Sequence, residues 1–229
     1  MSLLYHLDEL RRRVIICMVT VIGLSMACYF YSDLVMGFLT KPYHYQGKLV
    51  FIAPQEAFVT TLKVAVFGGI ILALPVIFYE AWKFVAPGLK RKEKRGVLIY
   101  TPASVLLFLG GGAFCYFIVL PIGLNFLLGF SQSLFQPMIS IDRYISFVTT
   151  LLLAFGVIFE LPLLSVFLTK IGILTPEFLI EKRKMAIVVI LVISALLTPP
   201  DVFTQLLMAG PLILLYEISI GLSKLAYQR

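Results

Sequence analysis

Residues 144–170 read YISFVTTLLLAFGVIFELPLLSVFLTK, and this stretch decides the class of the chain. It is long enough to cross a bilayer, which takes about 20 apolar residues rising about 1.5 Å each as a helix. Its one carboxylate, Glu160, lies about ten residues from Lys170 and therefore well inside the hydrocarbon. A carboxylate at that depth is costly unless it faces protein or trapped water, so an intramembrane ionisable residue marks a functional site by default. Two readings stand: a protonated glutamate hydrogen-bonded to a neighbouring helix, or a functional polar site in a membrane groove. Pro162 lacks an N–H and frees a backbone carbonyl about one turn upstream, near Ile158, so a polar partner or water beside Glu160 is expected.

The rest of the chain repeats this pattern. Of 229 residues 60% are hydrophobic and only 14% charged, against about 25% charged in soluble domains. Long apolar runs separated by turn and charge clusters indicate spanning helices and not a barrel. The expected fold is an all-α integral membrane protein of a single domain over residues 1–229. Its six helices are Val14–Tyr31, Val59–Val85, Val97–Leu128, Tyr144–Lys170, Met185–Leu197 and Val202–Leu222. The fifth has about 13 residues and spans about 20 Å, short for a core of about 30 Å. A short last helix pair thins the bilayer or leans on a neighbour, and a concave, groove-shaped bundle is expected.

Positive charge sets the orientation. All but four of the nineteen basic residues fall in Arg11–Arg13, Lys83–Arg95, Lys170 with Lys182–Lys184, and Lys224 with Arg229. Lys41, Lys48, Lys63 and Arg143 fall on or near the opposite side. The basic side is cytoplasmic, and six helices place both termini there. The net charge of +7 thus reads as topology and not as nucleic-acid binding. Arg11–Arg13 followed by Val14 to Ala27 has the outline of a signal peptide, but an uncleaved first helix fits the membranous remainder better. The segment before it, Met1 to Arg13, is an amphipathic interfacial helix, with Leu3, Leu7 and Leu10 on one face. Residues 32–59 form a loop long enough to have its own packing or a job. Lys63, near the start of the second helix, can snorkel.

Catalytic signatures are missing. The sequence has no phosphate loop, His-Glu-x-x-His or Gly-x-Ser-x-Gly. Cys17, Cys28 and Cys115 lie in apolar runs without metal-type spacing. No cofactor and no enzyme activity are expected. Glu93, alone among the cations of Lys90-Arg91-Lys92-Glu93-Lys94-Arg95, is either a paired group on a solvated face or a carboxylate offered to an incoming arginine, whose fork suits bidentate contacts.

Several motifs together resemble the TatC family, the multispanning receptor subunit of the twin-arginine protein translocase. His6-Leu7-Asp8-Glu9-Leu10-Arg11-Arg12-Arg13 is similar to its amino-terminal signature. Phe84-Val85-Ala86-Pro87-Gly88-Leu89 with Glu93-Lys94-Arg95 is similar to its first cytoplasmic loop. Phe155-Gly156 with Phe159-Glu160-Leu161-Pro162 is similar to its fourth-helix motif, and Leu197-Thr198-Pro199-Pro200-Asp201-Val202 with Gln205, then Leu215-Tyr216-Glu217-Ile218, to its last hairpin. The chain differs in Ala53, where the family often has serine, and in the more basic Lys90-Arg91-Lys92.

The resemblance implies a receptor in a bacterial or archaeal cytoplasmic (inner) membrane, or its organellar equivalent, that binds the twin-arginine signal peptides of folded proteins. It implies assembly with single-span TatA- and TatB-type subunits, self-association in the receptor complex, contact with membrane lipids, and transport driven by the proton-motive force. Glu9 and Glu93 would meet the signal arginines, partly buried against Phe84 and Leu89. Arg11 and Arg13 would hold the amino-terminal helix on lipid phosphates or loop carboxylates. Pro87 belongs to the loop motif, and Glu160 would face the groove. Thr198 and Gln205 would dock a partner helix or, alternatively, only cap the turn. Asp201 reads as a cap of the sixth helix. The alternative class is a proton-coupled small-molecule transporter using Glu160.

Overall fold

The structure is a computed structural model that describes residues 3–43, 49–85, 96–129, 138–198 and 201–227. Its regular elements among these residues are all helices, joined by turns and short irregular segments, with one isolated bridge, Val50 to Ser140. Five helical stretches among them are long and apolar enough to cross a bilayer: Leu7–Tyr29, Glu56–Val85, Leu98–Gly129, Ile141–Lys170 and Val202–Tyr227. This is a multi-pass membrane protein. The expected fifth span is a helix of only 15 residues, Arg183–Leu197, about 22 Å long. The helix after it runs for 26 residues, Val202–Tyr227. The shortness of the final pair therefore lies in its first member.

The chain divides into two compact units, Met1–Val105 with Leu128–Thr149, and Leu106–Leu127 with Thr150–Arg229. In the first unit, α1 (Leu3–Tyr29) is continuous. The interfacial segment expected to end at Arg13 runs straight into the spanning helix, because no glycine or proline lies between Leu3 and Gly23 to break it. Helix α1 packs against α3 (Glu56–Val85). Two glycines permit the approach. A Cβ at Gly69 would sit 2.7 Å from the Ser25 nitrogen, and one at Gly68 would sit 3.0 Å from Cys28 Sγ. Small residues let helix backbones pack closely where lipid removes any hydrophobic drive between them.

The expected loop 32–59 contains a short helix, α2 (Ser32–Thr40), laid against α3. The Tyr144 hydroxyl donates to the Leu39 carbonyl at 3.1 Å, fixing the end of α2 to the start of α6 (Ile141–Ile158). The Glu56 carboxylate accepts from the Ile52 N–H and the Ser140 hydroxyl. Lys63 does more than snorkel: its ammonium lies 2.6 Å from Asp142 and 2.9 Å from the Ser146 hydroxyl. At the other end of α3, the Trp82 indole donates to Ser104 on α4 (Gly96–Phe114) at 2.9 Å.

In the second unit α4 passes through a π-turn, Cys115–Val119, into α5 (Leu120–Gly129). Such turns insert one residue into the helical ladder and bend it. Helix α6 ends at Ile158 and α7 (Leu161–Lys170) begins after a two-residue break. Pro162 cannot serve the Ile158 carbonyl, and the chain crosses the gap with the tighter Glu160 N–H to Val157 carbonyl bond at 3.1 Å. Gly111 on α4 approaches this break so closely that a Cβ would lie 2.6 Å from the Phe155 carbonyl and 2.7 Å from the Phe159 ring. Gly156 receives the Phe108 ring in the same way. Helix α10 (Val202–Tyr227) packs on α7, on α8 (Pro176–Glu181) and on α9 (Arg183–Leu197). Buried hydroxyls join α7 to α10, with Thr169 and Ser223 2.6 Å apart and Ser165 donating to the Ser219 carbonyl. Arg183 grips Glu217 through two nitrogens at 2.8 and 2.9 Å.

Gly111→Ala is expected to destabilise the protein by about 1–3 kcal/mol, since the methyl meets backbone oxygen that cannot swing aside. Gly110→Ala, which meets nothing within 4 Å, is expected to be neutral or slightly stabilising. Melting temperatures of the two variants in the same detergent check this; equal values would contradict the close packing.

Candidate functional site

Helix α1 carries Asp8, Glu9, Arg12 and Arg13, and α3 carries Glu80 and Lys83 near its carboxyl end. The two helices are packed together, so the charges at the start of one meet those at the end of the other. Arg13 is the junction. Its Nη2 lies 2.5 Å from Glu9 Oε1, one turn earlier on the same helix, and its Nη1 lies 2.8 Å from Glu80 Oε2. The three side chains are largely removed from solvent, with 13%, 18% and 10% of Arg13, Glu9 and Glu80 exposed. Asp8, Arg12, Ile16 and Lys83 complete the walls of an open cleft of about 400 Å³.

Two carboxylates sharing one guanidinium is a net-negative arrangement, in a cleft whose other charged lining residues are Asp8, Arg12 and Lys83. It suits a second guanidinium, because an arginine fork makes parallel bonds to a carboxylate that an ammonium cannot make.

The expected site residues divide accordingly. Glu9 and Arg13 come together, but the partners of Arg13 are carboxylates on two helices. Arg11 is exposed, and Phe84 is half-buried near the end of α3. Pro87, Leu89 and Glu93 lie outside the described residues. Glu160 stands at the N-cap position of α7, at the α6–α7 break, without a side-chain capping bond, and is buried, 5% exposed.

In the last hairpin, Thr198 donates to the Ser194 carbonyl at 2.8 Å, and Gln205 donates across to the Leu191 carbonyl at 3.1 Å. Gln205 therefore ties α10 to α9, and Thr198 closes the end of α9. The Asp201 carboxylate accepts from the Thr204 N–H at 2.7 Å and from its hydroxyl, capping α10. Among the described residues no group of His, Cys, Asp and Glu is arranged to hold a metal ion.

The sequence reading missed Glu80 as a partner of Arg13. The signal was present: a carboxylate five residues before the end of one apolar helix and an arginine near the start of the preceding span share a depth in an antiparallel pair.

The family model described as Sec-independent protein translocase protein (TatC) matches residues 5–211. Proteins of that name are similar over nearly the whole chain. The one from Carboxydothermus hydrogenoformans is 44% identical over 98% of this chain and 93% of its own length. That from Aquifex aeolicus is 45% identical over 100% and 97%. That from Desulforapulum autotrophicum is 47% identical over 94% and 81%. Among solved structures, one described as the twin arginine translocase receptor TatC superposes with a TM-score of 0.89 at 44% identity, covering 98% of this chain and 100% of its own. A second, in the detergent DDM, gives 0.88 at 43% identity over 95% and 99%.

Removing Arg13 leaves two carboxylates facing one another with little solvent between them. Arg13→Met is expected to cost as much as about 3 kcal/mol, as when one member of a buried ion pair is deleted. Adding Glu80→Gln to it is expected to recover most of that loss. Thermal unfolding of the single and double variants checks this, and additive losses would contradict the shared bridge.

Proposed function

The chain belongs to the TatC family of Sec-independent protein translocase proteins, and from that premise we propose that it receives twin-arginine signal peptides at the Glu9 cleft on the cytoplasmic face of the inner membrane. It is a translocase component and not an enzyme. The observation that carries the reading is the Glu9 carboxylate. It is mostly buried at 18% exposure, sits in an open cleft, and is bonded by Arg13 through Oε1 only. A carboxylate offers about four lone-pair directions on two oxygens, so Oε2 is left for an arriving guanidinium. Burial strengthens such a pair, because fewer waters compete for either partner.

The second signal arginine is assigned to Glu93, on its place in the loop motif after Phe84. In this reading Pro87 shapes that loop and Leu89 covers the peptide. Arg11, exposed on α1, faces the lipid phosphates.

Both termini lie in the cytoplasm in this proposal, as the basic clusters direct. TatA- and TatB-type subunits dock on the α9–α10 hairpin. Their contact there is apolar: Leu196, Val202 and Leu206 are 80%, 71% and 59% exposed. Thr198 and Gln205, bonded within the hairpin, set the geometry of that surface. Glu160 would supply a polar point inside the membrane for cargo or partner, and copies of the chain would associate in the receptor complex. The proton-motive force would act on that assembly.

A peptide bearing the paired arginines is expected to bind the full chain in nanodiscs at least tenfold more tightly than its paired-lysine version. Glu9→Gln and Glu93→Gln are each expected to lower the arginine-peptide affinity by about tenfold or more, the loss of one charge-assisted contact. Titration by fluorescence anisotropy gives the constants. Equal binding of arginine and lysine peptides would remove the proposal, and selective binding unaffected by Glu9→Gln would move the site away from this cleft.

A further inference from the structure

We propose that Glu80 is a positioning residue for signal-peptide recognition: by holding one arm of the Arg13 fork it keeps Arg13 from closing over both oxygens of Glu9. The inference rests on the Glu9 cleft being the receptor site.

The geometry is specific. Arg13 gives Nη1 to Glu80 and Nη2 to Glu9, one nitrogen to each. Its Nε is buried and donates to nothing among the described residues. The guanidinium is thus spread between two helices and makes neither of the parallel two-bond contacts of which it is capable. A guanidinium on an incoming peptide suffers no such division. It can take Glu9 with two parallel bonds while Arg13 remains on Glu80. Arrival of cargo then exchanges a single bond for a bidentate pair and leaves Arg13 partnered, so neither cation nor anion is stranded in the cleft. The energetic asymmetry favours arginine over lysine, since an ammonium cannot make the parallel pair.

Without the Glu80 carboxylate this division fails. Among the described residues Glu9 is then the one carboxylate still bonded to Arg13, and the one-turn spacing on α1 lets the two pair fully. The cargo arginine then competes with a resident arginine for both oxygens. Glu80→Gln removes the charge and keeps the shape, so it is expected to weaken binding of the paired-arginine peptide by about tenfold, one charge-assisted contact's worth. It leaves Glu9 itself untouched. Adding Arg13→Met to Glu80→Gln removes the competitor and is expected to restore the wild-type affinity to within about threefold.

A merely structural role for Glu80 predicts the opposite sign for the second step. Taking Arg13 away from the Glu80→Gln variant would lower stability and binding again, because it strands Glu9 as an unpaired carboxylate in the cleft. The test is therefore the affinity of the full chain in nanodiscs for the paired-arginine peptide, in wild type, Glu80→Gln and Arg13→Met/Glu80→Gln, with the paired-lysine peptide as reference. The melting temperature of each variant is read in parallel to show that it is folded.

Loss in the single variant and recovery in the double is the expected result. Unchanged binding in the folded single variant, or a double variant weaker than the single, would overturn the role of Glu80 while leaving the receptor site standing. Absence of arginine-selective binding in the wild type would overturn the receptor site, and this inference with it. Should Glu80→Gln fail to fold, Glu80→Asp substitutes: its carboxylate ends one methylene short of Arg13, and it is expected to give an intermediate affinity that Arg13→Met again restores.

Discussion

Arg13 held between Glu9 and Glu80 is the contact on which the rest of the first unit depends. Three charged groups sit where α1 and α3 pack, nearly out of solvent, and each would be costly there alone. Together they compensate one another, and they fix the register of two antiparallel helices whose middle stretches are largely apolar. Lys63 with Asp142 does the same at the other end of α3. Between these polar clasps the helices are joined by close backbone approach at Gly68 and Gly69. The apolar middle supplies contact, and the charged ends supply position.

The second unit uses hydroxyls and glycines where the first uses charges. Ser165, Thr169, Ser219 and Ser223 are all buried along the α7–α10 contact. Small polar side chains allow helices to approach and also satisfy one another, which ionised groups in hydrocarbon do only at greater cost. Glu160 stands apart from this economy, a buried carboxylate placed where the chain breaks between α6 and α7. The Phe155 carbonyl and the Phe159 ring pack on Gly111 beside the break.

Much of this was legible from residue order. The second and third helices were read over 59–85 and 97–128, and helices lie at Glu56–Val85 and over Gly96–Gly129 with its π-turn. Long apolar segments with charged ends leave little freedom. What was not legible depended on pairing. Glu80 read alone is an interfacial glutamate, and Lys63 read alone snorkels. Their partners, Arg13 and Asp142, are 67 and 79 residues away, and only the register of packed helices brings them together. Helix α2 was read as loop because nine residues give too few turns for periodicity to register. The π-turn carries no compositional mark. Gln205 was read as docking a partner helix or capping the turn, and its bond to the Leu191 carbonyl, fourteen residues back on α9, depends on the same register.

The central claim is that Glu9 meets a signal arginine while Arg13 stays on Glu80. Solid-state NMR of the full chain in lipid bilayers tests this directly. The peptide arginines and the chain's Glu side chains would be labelled at the guanidinium and carboxyl carbons, and Arg13 labelled likewise. The account predicts a dipolar contact between a peptide guanidinium carbon and the Glu9 carboxyl carbon, with the Arg13 to Glu80 contact retained. Bound peptide with no contact to Glu9, or with Arg13 still closed on Glu9 alone, would contradict it.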